Sequence, residues 1–180
     1  MEEDQLSHSK IEKKSYIRPM KKIFVLLFVL SLSTHAFGAG SDSSDDISTT
    51  GLYDQAVKLV KKAGKLEKKN KTEKAKKIYS QAFKKLNSAY KSDAKNSDIL
   101  NYMGFTSRKI GNFKEAEDYY LKGLNINPKH NGINEYLGEL YVQTNRIDKA
   151  NERLAVLKNC NCEEYQDLEL IIKTKGTKVY

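Results

Sequence analysis

The chain has 180 residues, 39% of them hydrophobic and 31% charged, which is room for one ordinary domain with a packed core. Ten Gly and two Pro exclude collagen-like and Pro-rich architectures, and two Cys are too few for a disulfide framework or a four-cysteine zinc site. The net charge of +9, from 28 Lys and 4 Arg against 23 acids, is local: residues 58–95 carry 14 Lys and 3 acids, residues 40–57 carry 4 Asp and no base, and residues 96–180 balance at 12 and 12. Such a basic stretch can bind nucleic acid or anionic lipid, but charge runs usually mark a solvated helical face. A bias toward Lys, Asn and Tyr across the whole chain, with no Trp, fits that plainer reading.

Residues 1–19 show no clear periodicity and read as a prefix ahead of a better start at Met20. From there Met20-Lys21-Lys22 leads into the apolar run Ile23–Leu30, then Ser31-Leu32 and a series of small residues through Gly40. A cationic start, an apolar run of about ten residues and a small-residue exit are the three parts of a secretory signal, expected over 20–38. The run is about half the ~20 residues that cross a bilayer, so a stable span is not expected once the signal is removed. Cleavage is expected after Ala36 or Gly38, and the absence of Cys here excludes a lipoprotein anchor. Residues 39–49, with Ser and Asp dominant, read as a flexible acidic linker.

The domain expected over 50–175 carries an internal period. Met103-Gly104 and Leu137-Gly138 stand 34 apart, as do Ala116 and Ala150, Tyr120 and Leu154, and the turn residues Gly111 and Asn145. A weaker unit precedes them at an offset of 41, with Ala75, Tyr79 and Ala82 before Ala116, Tyr120 and Gly123. Its seven extra residues lengthen its second helix through Ala89-Tyr90, and Lys62 stands where the other units have Met or Leu. Each unit reads as two antiparallel helices. The small residues Ala63, Gly104 and Gly138 let helices approach, and Tyr79, Tyr120 and Leu154 fill the space between units. One hairpin cannot bury its apolar stripe alone, so stacking is required, and a stack needs an end with a polar outer face. Glu163–Ile172 supplies it: Tyr165, Leu168, Ile171 and Ile172 share one helical face, with acids at the N-terminus where the helix dipole favours them.

These slots resemble the tetratricopeptide repeat. Residues 97–130 carry Met103-Gly104, the Gly111-Asn112-Phe113 turn leading to Ala116, then Tyr120, Gly123 and Asn127-Pro128, and residues 131–164 repeat much of the pattern. The resemblance implies an all-α, right-handed superhelix of about three hairpins (repeats near 56–96, 97–130 and 131–164) and a cap helix over 163–174. It also implies a binding scaffold whose first helices line a concave groove for a peptide or partner protein. Carried over slot by slot, the groove comprises Asp98, Asn101, Phe105, Arg108, Lys109, Glu135, Glu139 and Val142, flanked by Val57, Val60 and Gln143. Phe105, expected as an aromatic on an otherwise polar surface, is the candidate hot spot. The Lys/Asn/Arg clamp that some members use for a C-terminal carboxylate is not matched, since Gly132 and Tyr136 occupy two of its positions.

No catalytic set is legible. Of three His, His8 lies in the prefix and His35 in the signal, leaving His130, expected as a solvated loop side chain. No phosphate-cradling Gly-rich loop is present, and neighbouring carboxylates such as Glu115 and Glu117 read as helix surface. The chain is therefore expected to be non-catalytic, without metal or cofactor. Cys160-Asn161-Cys162 admits a tight local disulfide, an intermolecular one, a metal site or two free thiols. A metal would need more ligands, and in an exported chain a local disulfide clamping the turn before the cap is favoured. The functional expectation is a protein-interaction module exported to the periplasm of a bacterium, or secreted, with an unidentified protein or peptide partner and no nucleic acid. The alternatives are a Lys-rich electrostatic binder of an acidic polymer or lipid surface, and a signal-anchored membrane protein.

Overall fold

A computed structural model describes residues 49–177. The expected prefix, the signal and the linker up to residue 48 lie outside them. The described residues form seven α-helices and no strand: α1 Thr49–Glu67, α2 Thr72–Ser92, α3 Ser97–Ile110, α4 Phe113–Ile126, α5 Asn131–Gln143, α6 Ile147–Leu157 and α7 Glu163–Lys173. They pair as three antiparallel hairpins, α1–α2, α3–α4 and α5–α6, and α7 packs on the last. None of these helices is long and apolar enough to cross a membrane.

One turn closes every hairpin. Asn70, Gly111 and Asn145 take positive φ of 57°, 96° and 58°, and the next residue returns a backbone bond five residues back: Lys71 to Leu66, Asn112 to Ser107, Arg146 to Tyr141. This motif satisfies carbonyls that a helix end would leave without partners. Gly bears the left-handed conformation freely and Asn bears it at low cost, which is why these two residue types stand at the three turns. α7 ends the same way, with Lys175 at φ 49° and Gly176 N–H donating to Ile171.

The first hairpin differs in length. Relative to α4, α2 carries its seven extra residues at its C-terminal end, as expected, and α1 begins at Thr49, inside the stretch read as linker. The physical reason lies in the antiparallel pairing. The last two turns of α2 need a partner, and Leu52, Tyr53 and Ala56 of α1 pack there with Leu86 and Ala89. Lys85 Nζ also donates to Gln55 Oε1 at 2.7 Å.

Stacking uses the same slots twice. Ile99 and Met103 of α3 bury against Ala82, Leu86 and Ala89 of α2, and Ile133 and Leu137 of α5 bury against Ala116, Tyr120 and Leu124 of α4. In α1 the corresponding slots, 41 residues before Ile99 and Met103, hold Lys58 and Lys62, both exposed. The irregularity of the first unit thus has a cause: it opens the stack, and no hairpin precedes it among the described residues to cover those positions. At the other end, Leu168 of α7 is fully buried on Gly138, where an added Cβ would lie 2.5 Å from its methyl carbon, and Ile171 is 4% exposed. Gly104 is equally constrained, because the Tyr120 ring occupies the space a Cβ would take. Cys160 and Cys162 form a disulfide with Cα atoms 5.2 Å apart, and Asn161 between them takes φ 50°. The bond sits in the turn leading into α7, whose N-cap is Cys162.

Gly104→Leu is expected to cost about 1–3 kcal/mol or more through overpacking, lowering Tm by several degrees. An unchanged melting curve would remove Gly104 from the packing account. Reduction of the disulfide should act locally. A ring across one residue constrains the unfolded chain far less than the loops behind the typical ~2–4 kcal/mol, and Leu168 and Ile171 anchor the rest of α7. Hydrogen exchange with and without reductant should therefore quicken only beyond Lys158, at the start of α7. Uniform acceleration through all hairpins, or none anywhere, would show that the bond does not hold this turn.

Candidate partner-binding groove

The first helices approach one another closely in sequence, α1 to α3, α3 to α5 and α5 to α7, whereas the backbones of α2, α4 and α6 stand farther apart, with the Phe83 and Tyr119 rings reaching across between α2 and α4. Helices that approach on one side and splay on the other curve the stack, so α1, α3 and α5 line its inner face, with α7 at its end. A cleft of about 390 Å³ lies along this face, bounded by Glu67, Arg108, Lys109, Glu139 and Gln143 and closed at the α7 end by Ile171 and Gly176.

Aromatic side chains run across the inner helices. Tyr53 of α1 meets Tyr102 of α3 edge-on at 5.6 Å between ring centroids, Tyr102 lies 6.5 Å from Phe105, and Phe105 lies 4.9 Å from Tyr136 of α5. Tyr79 approaches Phe105 from α2 at 5.8 Å. Phe105 is therefore the centre of a cluster, which corrects the expectation of a lone aromatic among polar neighbours. Spacing alone did not show this: Tyr136 stands at one of the clamp positions and Tyr102 at its equivalent 34 residues earlier, but their meeting at Phe105 depends on how α3 stacks on α5. Tyr53 lies outside the 34-residue pattern altogether. The rings are half-buried apart from Tyr79, which is buried. Burial pushes the Tyr53, Tyr79 and Tyr136 hydroxyls well above the ordinary phenol value, and at Tyr79 the Glu67 carboxylate adds to the effect. These groups stay protonated, and Tyr79 donates its hydrogen to Glu67 Oε2 at 2.9 Å.

Two cations edge the cluster, and each is tied to an acid on a neighbouring helix. Arg108 Nη2 lies 2.7 Å from Glu139 Oε2, with the two side chains only 10% and 6% exposed. The guanidinium also stands 5.6 Å and 5.9 Å from the centroids of Phe105 and Tyr136. Lys109 Nζ lies 2.7 Å from Glu67 Oε2 and 5.8 Å from the Phe105 centroid. Breaking a buried pair such as Arg108–Glu139 by removing one partner leaves an uncompensated charge, a loss of about 3–5 kcal/mol. The pairs join α3 to α5 and α3 to α1, so they fix the spacing of the inner helices as well as the charge of the groove.

The structure distributes the expected groove residues unevenly. Phe105, Arg108, Lys109 and Glu139 come together around the cleft. Asn101 and Glu135 are buried, only 6% and 4% exposed, Asn101 with its amide against Gly132. Val142 is only 7% exposed beside Gly176, whose α-carbon region closes on it because α7 ends in the same turn as the other inner helices. Val57 and Val60 are half-buried on α1, and Gln143 is exposed. Asp98 is exposed at the start of α3 and accepts from His130 Nε2 at 3.0 Å. That bond corrects the reading of His130 as a solvated side chain. Its Nδ1 accepts from Ile133 N–H to cap α5, which leaves the ring hydrogen on Nε2 for Asp98. Residues that sequence reasoning missed are Glu67, Tyr53, Tyr102 and Tyr136. No group of three or more His, Cys, Asp or Glu among the described residues is placed to hold a metal ion.

Residues 97–130, which span α3 and α4, match the family model of the tetratricopeptide repeat. No curated protein matches the sequence. Solved structures similar to this chain include the Yersinia enterocolitica type III secretion translocator chaperone SycD as an alternative dimer, at 18% identity, covering 68% of this chain and 89% of that one with a TM-score of 0.46. SycD in complex with a peptide of the translocator YopD matches at 18% identity, with coverage of 68% and 90% and a TM-score of 0.45. The TPR domain of Arabidopsis OM64 matches at 16% identity, with coverage of 69% and 98% and a TM-score of 0.44. Likenesses this distant say nothing about what the chain binds. The tetratricopeptide-repeat match thus covers the α3–α4 hairpin, and the hairpins on both sides of it close with the same turn.

Proposed function

We propose that the chain is a non-catalytic protein-interaction scaffold that holds an extended peptide or a partner's helix across the inner face, along the aromatic cluster centred on Phe105. The observation that supports this reading most directly is the run of half-buried rings, Tyr53, Tyr102, Phe105 and Tyr136, crossing the first helices of all three hairpins. Aromatic rings give large contact area with little side-chain entropy to lose, and they concentrate binding energy when a partner seals them from water. The cations beside them are already neutralised by Glu67 and Glu139, so the groove favours a segment with apolar or aromatic anchors over a strongly charged one.

A peptide-display selection on the folded protein tests this reading. Enriched peptides should carry aromatic or aliphatic anchors, bind with little dependence on salt, and lose about 30-fold in affinity against Phe105→Ala, the scale of a hot-spot residue. Circular dichroism must show the variant helical, and Tyr102→Ser serves as a second probe on the groove side of α3. Peptides that bind both variants as tightly as the parent would place recognition elsewhere.

The scaffold works in the periplasm of a bacterial envelope on this reading, delivered by the signal at 20–38. Cell fractionation with N-terminal sequencing should find a mature chain beginning at Phe37 or Ala39 and released without detergent. A chain recovered only in detergent, with Ile23–Leu32 still attached, would replace that view with a one-span anchor.

A further inference from the structure

We infer that the outer face of the first hairpin is an electrostatic docking surface for an anionic phospholipid bilayer, separate from the groove. On α1, Lys58, Lys61, Lys62 and Lys65 fall on one stripe opposite the buried Ala56 and Ala63. On α2, Lys77, Lys84 and Lys91 repeat every seven residues opposite Ala75, Ala82 and Ala89, with uncharged Gln81 and Ser88 between them. All seven lysines are exposed, and none forms an ion pair among the described residues.

A terminal hairpin needs only a polar outer face, and mixed Glu and Lys would provide one at lower cost. Like charges three and four apart on a helix repel, so the α1 stripe works against its own helix. Two acids stand at the ends of these stripes, Asp54 four residues before Lys58 and Glu73 four before Lys77, and no acid lies among the lysines beyond them. Glu67 turns inward to Lys109 and Tyr79, Glu73 pairs with Lys76, and Asp93 accepts from Asn96 at the far end of α2. A surface so strongly biased to one sign, kept at the expense of helix stability, points to an anionic partner.

The composition of the face selects the partner. All three described arginines are engaged elsewhere, Arg108 with Glu139, Arg146 with Glu117 and Arg153 with Asn134. No planar fork is therefore available for bases or bidentate phosphate, and no ring on either stripe offers a stacking platform. What remains is an array of point charges on flexible stems, suited to a diffuse layer of lipid headgroups. The choice of lipid over nucleic acid also rests on the proposed export, since an exported chain works beside a membrane.

Sedimentation of the purified full chain with vesicles tests the proposal. Vesicles of phosphatidylglycerol and phosphatidylcholine should bind it, more strongly as the phosphatidylglycerol fraction rises and much more weakly as salt shortens the Debye length. Replacing Lys58, Lys61, Lys62 and Lys65 together by Gln should weaken binding about fivefold per lysine, several hundredfold in all, while leaving peptide binding in the groove unchanged and Tm equal or higher. The α2 set Lys77→Gln, Lys84→Gln and Lys91→Gln provides an independent loss of about a hundredfold, should the α1 variant fail to fold. Equal binding to pure phosphatidylcholine vesicles, or binding indifferent to both sets of substitutions, overturns the proposal. Tighter binding to duplex DNA than to anionic vesicles at the same salt overturns it in favour of a nucleic-acid surface. Loss of vesicle binding with intact peptide binding bears on this face alone, and the converse result bears on the groove alone.

Discussion

A helical hairpin has more apolar surface than it can cover by folding on itself, and the whole domain follows from how that surplus is covered. The solution here is close approach at a small residue. Gly123 of α4 admits the side chain of Ile133 of α5, and Gly138 admits the side chain of Leu168 from the next inner helix. Each contact requires the partner helix to be present, so no hairpin is complete without a neighbour, and the stack gains its stability from interfaces as much as from units. The same constraint explains why the two ends differ chemically. α7 closes one end with Leu168 and Ile171, while the other end replaces the contact residues with Lys58 and Lys62.

Much of this was legible in the sequence because it is periodic and local. The turns at Asn70, Gly111 and Asn145 are set by residues whose backbone preference needs no tertiary context, and the slots at Gly104, Tyr120 and Gly123 recur at fixed spacing. The start of α1 was not legible from the repeat, which begins near residue 56; residues 49–55 precede it and are helical where the overlong α2 gives Leu52 and Tyr53 a partner. His130 was misread for a related reason. Its bond to Asp98 depends on the start of α3, 32 residues earlier, lying beside the start of α5. A lone His in a turn carries no sign of that.

The groove was legible only in outline. The resemblance to the tetratricopeptide repeat implied Phe105, Arg108, Lys109 and Glu139 on the inner face, but it could not show that Arg108 bonds Glu139 or that Lys109 bonds Glu67, since these pairs bridge different repeats. Nor could it separate exposed groove positions from buried ones. Asn101 and Glu135 hold repeat positions that face inward, yet neighbouring helices cover them, and Val142 is covered by the end of α7. Curvature of the stack decides which inward positions remain open, and curvature comes from contacts between units rather than from any one unit.

The division of labour between the two cations follows from their hydration. A guanidinium is weakly hydrated, planar and able to lie against rings while bonding a carboxylate, so it tolerates partial burial. All three described arginines are used that way or tied to a neighbouring helix: Arg108 beside Phe105 and Tyr136, Arg146 against Tyr141 with Nη1 donating to both Glu117 oxygens, Arg153 to Asn134. An ammonium holds its water more tightly, and the lysines of the first hairpin keep theirs on the outside. The net charge of the protein therefore says little about its groove, where acids and bases are matched across helices. The excess resides on a surface that the repeat architecture leaves uncovered. Ionic strength should consequently reach the two surfaces unequally, because buried pairs are screened far less than exposed charges.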